Sequence, residues 1–176
     1  NGRELEAQEA VAAVRGDVPV DLGIDWALPA NPGPRLHTYT DGAVDEPKWP
    51  EYTLSGAAMW SPHRIESDVL ANFASEVRMD RGYAYQVKIP GRLHSSTRSE
   101  VVGGLLALTA TSVDTVISTD SMAFRAIHRR VCRRYVGRRT KPHVKQKNGD
   151  LSRHWEDAVN TRGPETKHWP VGKGAY

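Results

Sequence analysis

The chain has 176 residues, of which 39% are hydrophobic and 26% charged, and its net charge is +3. That balance fits one modest globular domain and excludes a disordered or fibrous chain. The single cysteine, Cys132, excludes an internal disulfide and a Cys-rich zinc site.

No apolar run approaches the ~20 residues needed to span a bilayer, and the N-terminus lacks a signal-peptide core. The expectation is a soluble, intracellular protein in a reducing setting, with nucleus and cytoplasm not distinguished. No membrane partner is expected.

Residues 3–15 read as a short helix stopped by Gly16. Pro19, Pro29, Pro32 and Pro34 then suit a connector. The expected organisation is an N-terminal helix and Pro-rich connector over 1–34, followed by one domain over 35–176. The chain starts at Asn1 and stops after Gly172-Lys173-Gly174-Ala175-Tyr176, which suggests a C-terminally incomplete fragment of a longer product tethered to something upstream.

From residue 35 the pattern is three strands, then alternating helix and strand. Residues 36–40 alternate and are rich in β-formers, 52–60 form a second candidate, and 83–89 a third closed by Pro90-Gly91. Local connections make these three antiparallel. Residues 61–81 read as an insertion with a short helix, because Val69, Leu70, Phe73 and Val77 recur at roughly helical spacing.

Ser95, Ser96 and Thr97 offer N-cap oxygens to a helix with an apolar face of Val101, Val102, Leu105, Leu106 and Leu108. Gly103-Gly104 lowers its intrinsic helicity but allows close packing on a sheet. Residues 114–119 form a short β-branched strand and 121–129 the next helix. Residues 150–160 read as an amphipathic helix ended by Gly163-Pro164, and 166–171 as a last strand limited by Pro170. The order implies an α/β fold whose later strands are parallel.

Three short acidic segments stand at telling places in this frame: Thr38-Tyr39-Thr40-Asp41-Gly42, Ser96-Thr97-Arg98-Ser99-Glu100 and Ser118-Thr119-Asp120-Ser121. Asp41 and Asp120 each end a β-rich run, and Glu100 falls in the first turn of a helix. Carboxylates crowded beside a sheet repel one another unless a cation neutralises them. Mg²⁺ prefers such oxygen ligands and keeps room for substrate phosphate. Two ions about 4 Å apart can activate a water and stabilise the leaving oxygen of a phosphodiester.

At these residues the chain resembles the ribonuclease H family, whose core presents a TDG-type strand end, a T-x-x-R-x-E-type helix start and a TDS-type strand end. The resemblance covers roughly residues 35–166. It implies a mixed five-stranded sheet, three antiparallel strands then parallel ones, flanked by helices. It also implies a metal-dependent endonuclease that cuts the RNA strand of an RNA–DNA hybrid. Asp41, Glu100 and Asp120 would ligate Mg²⁺ or Mn²⁺, as two ions, and would be the catalytic residues. The natural setting would be a reverse-transcribing element, with a reverse transcriptase-like region covalently upstream.

Residues 125–147 hold ten Arg and Lys and no acidic residue, which leaves about −7 for the rest. Arg125, Arg129 and Arg133 lie at helical spacing, so one face can meet a phosphate backbone. Arg134 belongs to the same ridge, and Tyr135 and His128 offer stacking or hydrogen bonds. Thr97 and Arg98 precede Glu100 where the family contacts its hybrid. The expected nucleic-acid-binding set is thus Thr97, Arg98, Arg125, Arg129, Arg133 and Arg134.

The resemblance frays at the end. After its last strand the family continues into a Gly-His loop and a helix bearing a fourth carboxylate, and neither has a counterpart here. Asp150, Glu156 and Asp157 lie upstream and read as helix-surface residues. Loss of a ligand weakens at least one ion, so the competing expectation is a catalytically impaired module that binds nucleic acid or serves a structural role. Phosphate-cradling Gly loops, H-E-x-x-H and G-x-S-x-G are absent from the sequence.

Overall fold

The computed structural model describes residues 37–45, 53–89, 94–111, 115–135, 137, 141–146, 148–161 and 171–172. The expected N-terminal helix and connector, 1–34, lie outside them. The elements are β1 (His37–Asp45), β2 (Leu54–Ser61), α1 (Asp68–Phe73), β3 (Ser75–Met79), β4 (Gly82–Lys88), α2 (Ser96–Ala110), β5 (Val116–Ser118), α3 (Met122–Tyr135), α4 (Gly149–Thr161) and β6 (Val171–Gly172). A short 3-10 turn, His143–Lys145, precedes α4.

These strands form one mixed sheet in the order β3-β4-β2-β1-β5-β6. The first four pair antiparallel, and β1–β5 and β5–β6 pair parallel. The fold is therefore α/β, with four of the expected strands and one more; the expected last strand, 166–171, lies outside the described residues except at Val171, where β6 begins. The extra strand is β3. The insertion's helix stops at Phe73, and Val77, expected on that helix, instead sits in a strand paired to β4 through a tight turn at Asp80-Arg81. Alternation from Ser75 to Met79 and an open β4 edge outweigh the weak helical spacing.

β1 also runs further than expected. Its antiparallel ladder with β2 continues to Asp45↔Leu54, so Asp41 lies within the strand rather than at its end. Its parallel ladder with β5 stops at Tyr39↔Ser118.

The core is built around α2. Every residue of it from Arg98 to Ala110 is buried, because the sheet lies on one side and α3 and α4 on others. The expected single apolar face is thus a helix covered nearly all round, which its composition permits. A Cβ on Gly103 would lie 3.1 Å from the Ala58 carbonyl and 3.3 Å from that of Asp41, so this glycine brings the helix axis close to the sheet. Against Gly104 packs the ring of Phe124, itself edge-on to the fully buried Trp155. Met59, Tyr85, Leu105, Leu106 and Ile117 complete the centre. Among the described residues no helix is long and apolar enough to cross a membrane.

Candidate metal centre

The parallel register of β1 and β5 sets Tyr39 opposite Ser118. Asp41 and Asp120 each lie two residues beyond the last pair of that parallel ladder, Asp41 still within β1 and Asp120 past the carboxyl end of β5, the side on which α/β sheets place their sites. Glu100 approaches from α2. A Cβ on Gly42 would lie 2.5 Å from both the Glu100 amide nitrogen and Ser99 Cβ, so only glycine lets the helix come this near to β1. One oxygen from each of Asp41, Glu100 and Asp120 falls within 4.8 Å of the others, a group that could hold a metal ion.

Glu100 forms the buried floor of this group, and Asp41 and Asp120 its exposed mouth. The helix starts at Ser96 with Ser95 as cap, its Oγ accepting the Arg98 amide at 3.3 Å. Glu100 therefore lies beyond the first turn, contrary to expectation, and the helix dipole does not account for its position.

Burial, and then the charges of Asp41 and Asp120, push the Glu100 carboxyl up to about 7, against the pull of the Thr119 hydroxyl and the Gly42 amide. A hard cation bound among three carboxylates relieves that repulsion. The donor set fits Mg²⁺ or Mn²⁺.

Two residues that the motif reading quoted without a role organise the centre. Thr119 Oγ1 donates to Glu100 Oε2 at 3.2 Å and accepts the Ser121 amide at 3.1 Å, which locks the turn that carries Asp120. The Ser121 hydroxyl in turn accepts the Phe124 amide at 3.1 Å and caps α3. Gly42 is the other: its amide donates to Asp41 Oδ1 at 2.8 Å. The sequence signal for both was their place beside the aspartates.

Asp41 also lines a cleft of about 600 Å³ that crosses the sheet through Gly56 and Gln86 to Phe73 and Ser75, with Ala43 and Lys88 beside it.

The basic residues divide into two groups. Arg129 and Arg133 are exposed on α3, and Arg125 is half-buried, its guanidinium 3.6 Å from Met122 Sδ. Arg98, expected to face nucleic acid, is buried and makes a bidentate pair with Asp150 at 3.0 and 2.8 Å. A guanidinium fork committed to a carboxylate in this way is unavailable to a phosphate.

Asp150 is correspondingly not a mere surface residue: hydrogen bonding and charge from Arg98 hold its carboxyl below the usual range despite partial burial. Arg134 turns toward α4, pairing with Glu156 at 2.6 Å and with the Lys141 carbonyl at 2.9 Å, so it braces the fold rather than the ridge. His128 is buried and accepts the Trp155 indole N–H at 3.3 Å, which removes it as a surface contact. Thr97 is half-buried in the first turn of α2.

Glu100 must shed its proton to bind a cation. Mg²⁺ affinity is therefore expected to level off well above pH 7 and to fall about tenfold per unit below it. Titration calorimetry across that range measures this, and a flat profile removes Glu100 from the ligand set.

No protein-family model matches the chain, and no curated protein matches it. Its function is therefore argued from the site.

Proposed function

We propose that this chain is a ribonuclease H-like endonuclease that hydrolyses the RNA strand of RNA–DNA hybrids. The observation that carries the reading is the convergence of Asp41, Glu100 and Asp120 on one point just beyond the end of the parallel β1–β5 ladder. Their order along the chain, strand, helix, strand, matches the ribonuclease H pattern to which the sequence is similar.

Mg²⁺ or Mn²⁺, if bound there by Asp41, Glu100 and Asp120 as two ions, would supply Lewis acidity and an activated water for phosphodiester hydrolysis. The chain's own residues do the rest. The three carboxylates would hold the cations, with the exposed Asp41 and Asp120 leaving the mouth open to a scissile phosphate. Thr119 keeps Glu100 and the Asp120 turn in place.

Arg125, Arg129 and Arg133 step away from Asp120 along α3 at about 6 Å per four residues, a spacing that suits successive contacts to one backbone. Thr97 stands at the start of α2, beside Glu100's helix turn, as a contact to the sugar edge where the RNA 2′-hydroxyl distinguishes hybrid from DNA duplex.

The test is cleavage of an end-labelled RNA–DNA hybrid in Mg²⁺ and in Mn²⁺. Metal-dependent cutting confined to the RNA strand is the expected result. Tight hybrid binding with no cutting in either metal would replace this reading with a binding module.

The ridge has its own prediction. Arg129→Glu with Arg133→Glu is expected to weaken hybrid binding and to reduce the slope of log affinity against log salt by about 1.5 to 2, the loss of two phosphate contacts. A salt titration by fluorescence anisotropy reads the slope, and an unchanged slope removes α3 from the interface.

A further inference from the structure

β3 is the outermost strand of the sheet, and all five of its residues are exposed. Its inner edge pairs with β4 without interruption from Ser75↔Gln86 to Met79↔Gly82. Among the described residues no strand pairs with its outer edge. An edge of unpaired N–H and C=O groups is a template for another strand, and proteins blunt it with shortness, charged side chains, proline or a bulge; β3 is short and charged, but its two charges, Glu76 and Arg78, are of opposite sign and can pair across a two-fold axis. Ser75-Glu76-Val77-Arg78-Met79 contains no proline, glycine or bulge. Among the described residues, three of the five exposed large hydrophobic ones, Phe73, Val77 and Met79, belong to β3 or the two residues before it.

We propose that β3 pairs antiparallel with β3 of a second copy of this chain, about a two-fold axis at Val77. Side chains alternate along a strand, so Glu76 and Arg78 share one face and Ser75, Val77 and Met79 the other. In this register Val77 meets Val77 of the second copy, and each Glu76 stands opposite an Arg78. The contact is isologous, with two opposed-charge pairs around an apolar centre. A register centred on Glu76 would set Glu against Glu, and one centred on Arg78 would set Arg against Arg, both unfavourable. The three central residues thus select one alignment.

Arg64 Nε lies 3.1 Å from both carboxylate oxygens of Glu76, so Arg78 of the second copy competes with this exposed pair for the same carboxylate. The metal centre is three strands away, roughly 14 Å at ordinary strand spacing. Pairing through β3 leaves it open, so this proposal stands or falls apart from the nuclease reading.

Sedimentation or light scattering from about 1 µM to 1 mM tests it on the full chain. The expected result is a reversible monomer–dimer equilibrium in that range. Val77→Lys sets two ammonium groups on the axis, and Arg78→Glu sets Glu against Glu twice, so each is expected to weaken the dimer at least about tenfold. Both positions are exposed, and circular dichroism verifies that the variants fold.

In an Arg64→Ala background, exchanging the charges, Glu76→Arg with Arg78→Glu, is expected to restore the dimer that Arg78→Glu alone weakens. A chain that stays monomeric at the highest concentration overturns the proposal. So does a dimer that survives Val77→Lys and Arg78→Glu, or a charge exchange that fails to restore it.

Discussion

Asp41→Asn is expected to lower hydrolysis of an RNA–DNA hybrid in Mg²⁺ on the order of 10³-fold while leaving hybrid binding at least as tight. The amide keeps the size of the side chain and removes one of three charges that hold the cations, and a bound cation contributes several kcal/mol to the transition state. Asp41 is exposed and lies in a strand paired on both sides, so the fold does not depend on its charge. Single-turnover cleavage and anisotropy on the same preparation separate the two effects. Cutting at the parent rate by the Asn variant would sink the three-carboxylate site.

The same substitution has a signature that needs no substrate. After burial, the charge of Asp41 is the largest cause of the raised Glu100 carboxyl, so Asp41→Asn is expected to bring that group part of the way down from about 7. The sign for stability follows from linkage. A carboxyl raised in the folded state costs nothing below its unfolded value near 4.5. The cost grows as pH rises from there to about 7 and is complete above, up to about 3 kcal/mol. Metal-free protein is thus expected to melt lower at pH 8 than at pH 5, with Asp41→Asn and added Mg²⁺ each reversing part of the loss. Thermal melts with and without Mg²⁺ measure it.

Gly42→Ala is the second large expected effect, although it touches no charge. The added methyl would meet the Glu100 amide and the Ser99 backbone carbon at 2.5 and 2.6 Å. These are backbone atoms of a helix buried on nearly every side, so the strand and α2 must separate. Overpacking of this kind costs about 1–3 kcal/mol. A shift near 1 Å between Asp41 and Glu100 costs on the order of 10²-fold in rate. The variant is expected to lose both stability and Mg²⁺ affinity, whereas Asp41→Asn loses affinity without the stability cost. Denaturant melts paired with calorimetry distinguish them, and a variant as stable and as active as the parent would show that the close approach does not set the site.

Much of this architecture was legible because its signals are local. β-branched and aromatic alternation marked β1, β2, β4 and β5, and serines ahead of an apolar run marked the start of α2. The three acidic residues could be chosen because each adjoined a strand or helix of the right kind. The signal failed where two local readings competed. Val77 fits a helix by spacing from Val69 and Phe73, but the open edge of β4 draws it into β3. Arg98 fits a substrate contact by motif, but its partner Asp150 lies 52 residues on, in a helix whose placement the motif does not encode. Arg134 likewise shares the helical ridge in sequence yet turns to Glu156.

The sequence by itself determined the kinds of element, the sign of charge along them and the identity of the three carboxylates, because propensity, periodicity and motif spacing act over a few residues. Tertiary structure alone decided how near those carboxylates come, since that distance depends on the parallel register of β1 and β5 and on the space at Gly42. It also decided which arginines face solvent. Arg98 and Arg134 turn to the half-buried carboxylates of Asp150 and Glu156 on α4, and that nearness across elements is fixed only when the helices pack.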